Sequence, residues 1–200
     1  VPWDGRATPI GDTLQESRNG ELLWRGGDGH SYALESSRTP AAWQQQAPSA
    51  VDLELPLNAQ PRLEALGRSW SSLPQPSQRL AAAEAWFRSQ PFRYSRNPGT
   101  LPKQQALDVF LFDRQLGFCS HYASAFTALM RAAGVPARVV SGYRGGSWVL
   151  PLSGDPYLEL RASDAHAWSE LWLPGKGWVA VDPSLWAGRD HLDAARSGWR

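Results

Sequence analysis

The sequence predicts an α+β fold in which helices come first and a largely antiparallel sheet follows. Apolar residues recur at helical spacing from Leu63 to Ala133, and from Ala137 onward the chain changes to strand-like runs separated by turns. The clearest run is a hairpin. Residues 165–173 (AHAWSELWL) alternate along their length, turn at P-G-K-G over 174–177, and return through W-V-A-V-D at 178–182.

Residues 21–24 and 31–35 read as short strands, and Gly26, Gly27, Asp28 and Gly29 between them suggest a hairpin. The stretch 39–56, rich in Pro, Gln, Ala and Ser, reads as an irregular connection. A helix then begins at Pro61, where a first-turn proline is tolerated, with Leu63, Leu66 and Trp70 on one stripe. Pro74 and Pro76 break it. Ser77 is placed to cap a second helix that carries Leu80, Ala83, Trp86 and Phe87. Residues 92–95 (FRYS) are extended and lead to a loop with Asn97, Pro98, Gly99 and Pro102. The apolar run 108–112 precedes Gly117 and a strong helix over 119–133. Its Cys119, Tyr122, Phe126, Leu129, Met130 and Ala133 share a face. Gly134 stops the helix and Pro136 prevents its continuation. Strands follow at 137–143 and 157–160, and then the hairpin. Residues 1–56 are thus expected as an N-terminal extension with a short β-hairpin and an irregular connection, and residues 57–200 as the main domain.

Composition narrows the function. The chain has 200 residues, 42% of them apolar and 20% charged, enough for one core with a small appendage. A formal net charge of +1 with no basic run argues against a nucleic-acid partner or an anionic membrane surface. The eleven Trp residues fill a core and its rim, or wall a cleft. A single cysteine excludes an internal disulfide and a cysteine zinc cluster. No run of 18 apolar residues spans a membrane and no signal peptide opens the chain. A start at Val1 and an end at Trp199-Arg200 suggest a piece of a longer or processed protein.

Cys119 is either a small buried hydrophobe or a nucleophile. It lies in the first turn of its helix, where unpartnered N–H groups and the helix dipole favour a thiolate and could hold a substrate oxyanion. Gly117 permits close approach before the helix. Of the four His residues, His30 lies in the glycine-rich turn and His191 near the chain end. His121 follows Cys119 too closely to share its helix face, and is a poor base that could line a cleft rim. His166 opens a strand, which suits it as the base. An imidazole base needs an acceptor to fix its tautomer. Hairpin alternation puts His166, Trp168, Glu170 and Trp172 on one face and Trp178, Ala180 and Asp182 on another, so that Asp182 comes within reach of His166. Asp164, in the preceding loop, is the rival. On the residues alone, a Cys–His–Asp site stands beside a structural cysteine with incidental histidines.

Four blocks carry a resemblance: G-F-C-S-H-Y-A-S-A-F at 117–126, G-V-P-A-R-V-V-S-G-Y at 134–143, D-A-H-A-W-S-E-L-W at 164–172 and G-W-V-A-V-D-P-S at 177–184. In order and spacing they resemble the transglutaminase-like superfamily, and within it the membrane-anchored bacterial type. P-R-L-E-A-L at 61–66 and F-R-Y-S at 92–95 also fit that group. The resemblance implies a papain-like α+β core with the nucleophile at a helix N-terminus packed on an antiparallel sheet. It implies a catalytic triad of Cys119, His166 and Asp182, thioester chemistry on glutamine-type amides, and a cleft walled by Tyr143 and Trp168. It further implies a peptide, protein or cell-envelope substrate, no cofactor and no metal, and a periplasmic domain anchored in the inner membrane by segments outside this chain. Ser120 departs from the acidic residue expected after the cysteine. A thiol protease or amidohydrolase of the same fold, and a binding module without turnover, are the alternatives.

Overall fold

The structure, a computed structural model, describes residues 6–10, 14–16, 22–24, 33–37, 42–56 and 58–187. Strands β1 (Arg6–Ile10), β2 (Leu14–Glu16), β3 (Leu22–Trp24) and β4 (Ala33–Ser37) form two nested antiparallel pairs. β1 pairs with β4, and β2 with β3. This corrects the hairpin expected across Gly26–Gly29, because the two strands flanking that turn signal do not pair with each other. A glycine-rich turn marks where a chain can bend. Which strand lies across is decided by the available ladders, here two segments with little alternation of their own. His30 lies outside the described residues, as does His191.

Short 3₁₀ turns at Ala42–Gln45 and Ala50–Leu53 tie the irregular connection to the body of the molecule. The Trp178 indole donates to the Gln46 carbonyl at 2.9 Å, and Arg131 donates to the Glu54 carbonyl at 2.9 Å. Helix α1 (Pro61–Trp70) starts at the expected proline. Its free N-terminal N–H groups are met by a residue distant in sequence: the buried Asp108 carboxylate accepts from Arg62 N at 3.0 Å and Leu63 N at 2.8 Å. Helix α2 (Pro76–Ser89) is capped differently from expectation. Gln75 is the cap, Pro76 takes the first helical position, and Ser77 lies inside the first turn. Proline's fixed φ suits that first position and moves the start one step back.

Strand β5 (Arg93–Tyr94) precedes a short helix α3 (Ala106–Asp108) that runs into a π-helical turn, Val109–Arg114. Strand β6 (Leu116–Gly117) then pairs in parallel with β5, placing Tyr94 beside Gly117. Helix α4 (Cys119–Ala132) is the centre of the domain. Tyr122, Phe126, Leu129, Met130 and Ala133 are fully buried, as are Ala123 and Ala125 on other faces. Tyr122, Ala125, Phe126, Leu129 and Met130 join Leu63, Phe87, Phe92 and Phe110 in one core. The helix stops at Gly134, whose φ of 75° is the left-handed conformation that favours glycine.

Strands β7 (Ala137–Tyr143), β8 (Ser147–Val149), β9 (Tyr157–Glu159), β10 (Ala165–Leu173) and β11 (Gly177–Val181) follow. The main sheet has the order β11-β10-β7 and is antiparallel throughout, while β8 and β9 form a separate arm. The expected helices-then-sheet α+β fold is therefore observed. Alternate β10 residues Ala167, Ser169, Leu171 and Leu173 are buried. Ser169 Oγ donates to the Ala123 carbonyl at 3.1 Å and accepts from Thr127 Oγ1 at 2.9 Å, which fixes β10 against α4. Among the described residues, no helix is long and apolar enough to cross a membrane.

Candidate active site

Cys119 is the first residue of α4 and is partly buried. The turn before it is tight because Gly117 has no side chain: a Cβ there would lie 2.7 Å from Phe110 and 2.9 Å from the Cβ of His121. His121 spends its Nδ1 on the N–H of Phe118 at 3.2 Å, closing the helix start, and packs between Phe110 and Phe118. Burial lowers its pKa and favours the neutral ring that this acceptor role requires. Of the three expected cleft residues, His121 is thus committed to the helix start. Trp168 lies with its ring stacked at 6.4 Å from His166, and Tyr143 is exposed, with its Cα opposite Ala165.

Cys119, His166 and Asp182 are brought together. The β10–β11 register pairs Ser169 with Val181, so Asp182 continues opposite Trp168 and one diagonal step from His166. His166 Nε2 lies 2.8 Å from Asp182 Oδ2, and the same imidazole hydrogen-bonds the Cys119 thiol. The Ala167 N–H also reaches that sulfur. Asp164, the rival acceptor, is occupied elsewhere: its carboxylate accepts from Arg161 N at 2.8 Å and its carbonyl accepts from Arg144 N at 2.8 Å.

The electrostatics follow from these contacts. Burial raises the Cys119 pKa, but the hydrogen bonds from His166 and Ala167, the imidazolium charge and the Tyr94 hydroxyl outweigh it, and the thiol falls below its ordinary value. Burial pulls His166 down, yet its hydrogen bonds to Asp182 and Cys119 and the charges of both carry it up to about 9. Burial pushes Asp182 up; bonds from His166 and Ser184 and the charges of His166 and Arg144 hold it low. All three shifts favour the charged forms: thiolate at Cys119, imidazolium at His166 and carboxylate at Asp182.

Two neighbours are not apparent in the sequence pattern. Tyr94 hydrogen-bonds both the thiol and the backbone N–H of Cys119. It is held there by the short parallel pairing of β5 with β6 and by stacking on Tyr122, with centroids 6.3 Å apart. Arg144, just past β7, forms an ion pair with Asp182 Oδ2. The only sequence signal for Tyr94 is its extended F-R-Y-S segment, and nothing marks Arg144.

Comparison with known proteins identifies the family. The transglutaminase-like superfamily pattern matches residues 65–183. A protein-glutamine gamma-glutamyltransferase of Pseudomonas aeruginosa is 41% identical over 143 residues, which are 71% of this chain and 21% of that protein. The uncharacterized protein YebA of Bacillus subtilis is 36% identical over 110 residues, 53% of this chain and 15% of that one. The chain thus spans about a fifth or less of the length of these relatives. Among solved structures, the periplasmic domain of TgpA from P. aeruginosa superposes with a TM-score of 0.79 at 33% identity, covering 96% of this chain and 65% of that one. The same domain bound to ethylmercury gives 0.75 at 32% identity, covering 92% and 66%. With the pattern matched over more than half its length, the chain belongs to the transglutaminase-like superfamily.

Proposed function

We propose that this chain carries out cysteine-dependent acyl transfer on glutamine-type amides of peptides or proteins, with Cys119 as nucleophile, His166 as its acid and base, and Asp182 orienting His166. The observation that carries the reading is the line of hydrogen bonds from thiol to imidazole to carboxylate at the N-terminus of α4. The Cys119 thiolate attacks the amide carbon, and the carbonyl π pair moves to oxygen. The oxyanion collapses, His166 gives its proton to the departing nitrogen, and ammonia leaves a thioester. A primary amine then attacks the thioester and loses its proton to His166, giving an amide and the free enzyme. Water in place of the amine gives hydrolysis. The sequence resembles that of a relative named as a protein-glutamine gamma-glutamyltransferase, which supports the glutamine-type donor.

Tyr94 fits the oxyanion. Its hydroxyl lies at the Cys119 N–H, and burial raises its pKa so that it keeps its proton to donate. Tyr94→Phe is expected to lower kcat by roughly 10²-fold with little change in KM. Iodoacetamide alkylation of Cys119, which forms no oxyanion, is expected to slow far less, by no more than the thiolate lost with the Tyr94 hydroxyl. Equal losses in both reactions would remove Tyr94 from this role.

The pH profile of kcat/KM is expected to be bell-shaped. The acid limb reflects protonation of a thiolate whose pKa is below its ordinary value, so activity falls as pH drops through it. The basic limb lies near pH 9, where His166 loses the proton it must give to the leaving nitrogen. Initial rates with a donor and an amine that do not titrate in this range would check it; a basic limb near the ordinary histidine value would contradict the ion pair.

The deciding experiment incubates the chain with a glutamine-containing peptide, with and without a primary amine, and follows both products by mass spectrometry. Amine incorporation supports acyl transfer, a glutamate product without amine incorporation makes the chain an amidohydrolase, and peptide-bond cleavage makes it a protease. Absence of all three products removes the catalytic reading. We assign the catalytic part to residues 57–200 and treat 1–56 as an extension. The likeness to a periplasmic domain supports a periplasmic location, with membrane anchoring by segments outside this chain.

A further inference from the structure

Asp182 has more donors than the orientation of one imidazole requires. Its Oδ1 accepts from Ser184 Oγ at 2.6 Å and Ser184 N at 3.1 Å. Its Oδ2 accepts from His166 Nε2 at 2.8 Å and also from the Arg144 guanidinium. The Asp182 side chain is 2% exposed, so these charges meet with little water to screen them. Arg144 is placed by the end of β7, and its own N–H is tied at 2.8 Å to the carbonyl of Asp164, in the turn that leads into His166. The cation is therefore held by the same piece of backbone that delivers the imidazole.

A buried carboxylate facing an imidazole alone holds the imidazolium strongly. A carboxylate already paired with a guanidinium is close to neutral as a unit, and orients the ring without binding its proton as tightly. We infer that Arg144 is a positioning residue that tunes the site: by sharing Asp182 Oδ2 with His166, it weakens the carboxylate's hold on the imidazolium and keeps that proton transferable. The inference concerns the proton affinity of His166. Its catalytic consequence rests on the function proposed above.

Among the described residues, the charged and titratable groups around His166 are few. Cys119 faces it from α4, with Tyr94 of β5 behind the sulfur. Asp182 faces it from the end of β11, and Arg144 stands across Asp182 from the end of β7. Trp168, its stacking neighbour on β10, does not titrate. Among the described residues, Arg144 is the one fixed positive charge at this carboxylate, so removing it favours the imidazolium.

The test is an NMR titration of the His166 ring proton in the full 200-residue chain, with its signal assigned by its loss in His166→Gln. Arg144→Gln keeps a donor for Asp182 and removes the charge; its His166 midpoint is expected to rise by at least about half a pH unit. Arg144→Met is expected to move it in the same direction. Arg144→Lys, which keeps the charge, is expected to restore most of the wild-type midpoint. A midpoint that is unchanged or lower in a folded Arg144→Gln chain overturns the inference, as does an Arg144→Lys midpoint equal to that of Arg144→Gln. Should Arg144→Met fail to fold by circular dichroism, the Gln and Lys pair still decides. The titration needs no turnover, so a wild-type chain that transfers no acyl group would sink the proposed function and leave this result readable.

Discussion

Replacing Cys119 with alanine is expected to lower amine incorporation by about 10⁴-fold or more, to the level set by substrate binding alone. No other side chain at the site can form the thioester. Tyr94 keeps its proton through burial, and the Ser184 hydroxyl is spent on Asp182. The fold should survive, because Cys119 is only partly buried and the helix start is held by His121 and Gly117. The measurement is mass spectrometry of the chain quenched during turnover. Wild type should carry an acyl mass adduct and Cys119→Ala none, with unchanged circular dichroism. A Cys119→Ala chain that keeps its activity would move the chemistry elsewhere.

Changing Asp182 is expected to have the second-largest effect, and two substitutions separate its roles. Asp182→Ala removes the acceptor of the His166, Ser184 and Arg144 donors together. It takes from the buried Ser184 hydroxyl and the part-exposed Arg144 guanidinium the carboxylate they share, and is expected to cost about 1–3 kcal/mol of stability, read by urea unfolding. Asp182→Asn keeps the shape and one acceptor oxygen, and should cost less stability. It removes the charge that supports the imidazolium and turns one oxygen into a donor facing other donors. Activity should fall by roughly 10²- to 10⁴-fold, and the basic limb should shift downward from about 9, because the carboxylate is among the causes that raise His166. An Asp182→Asn chain with full activity and an unmoved basic limb would show that the carboxylate only fills space.

Much of this geometry was legible from the chain. Helix α4 and its start at Cys119 follow from helical periodicity bounded by Gly117 and Gly134. The β10–β11 hairpin follows from strict alternation around a P-G-K-G turn, and alternation with a short turn leaves one register, which puts Asp182 near His166. The core faces of α1 and α2 follow in the same way, and the four motif blocks identified the family before any coordinates. These are local signals, in which each residue's environment is set by neighbours a few positions away.

What escaped the sequence depends on contacts between distant segments. Asp108 caps α1 only because α3, distant in sequence, packs against the start of that helix. The nested pairing of β1–β4 overrode a good turn signal. Tyr94 meets Cys119 through a parallel pair of two-residue strands, too short to leave any periodicity. Arg144 meets Asp182 because two strand ends converge on the same corner of the sheet. The sequence by itself determined the α+β class, the family, the helix that begins at Cys119 and the hairpin bearing His166 and Asp182, since periodicity and turns specify local geometry. Only the tertiary structure decided which hydroxyl sits at the thiol and which cation shares the carboxylate, since a surface arginine and a site arginine read alike until the chain is closed.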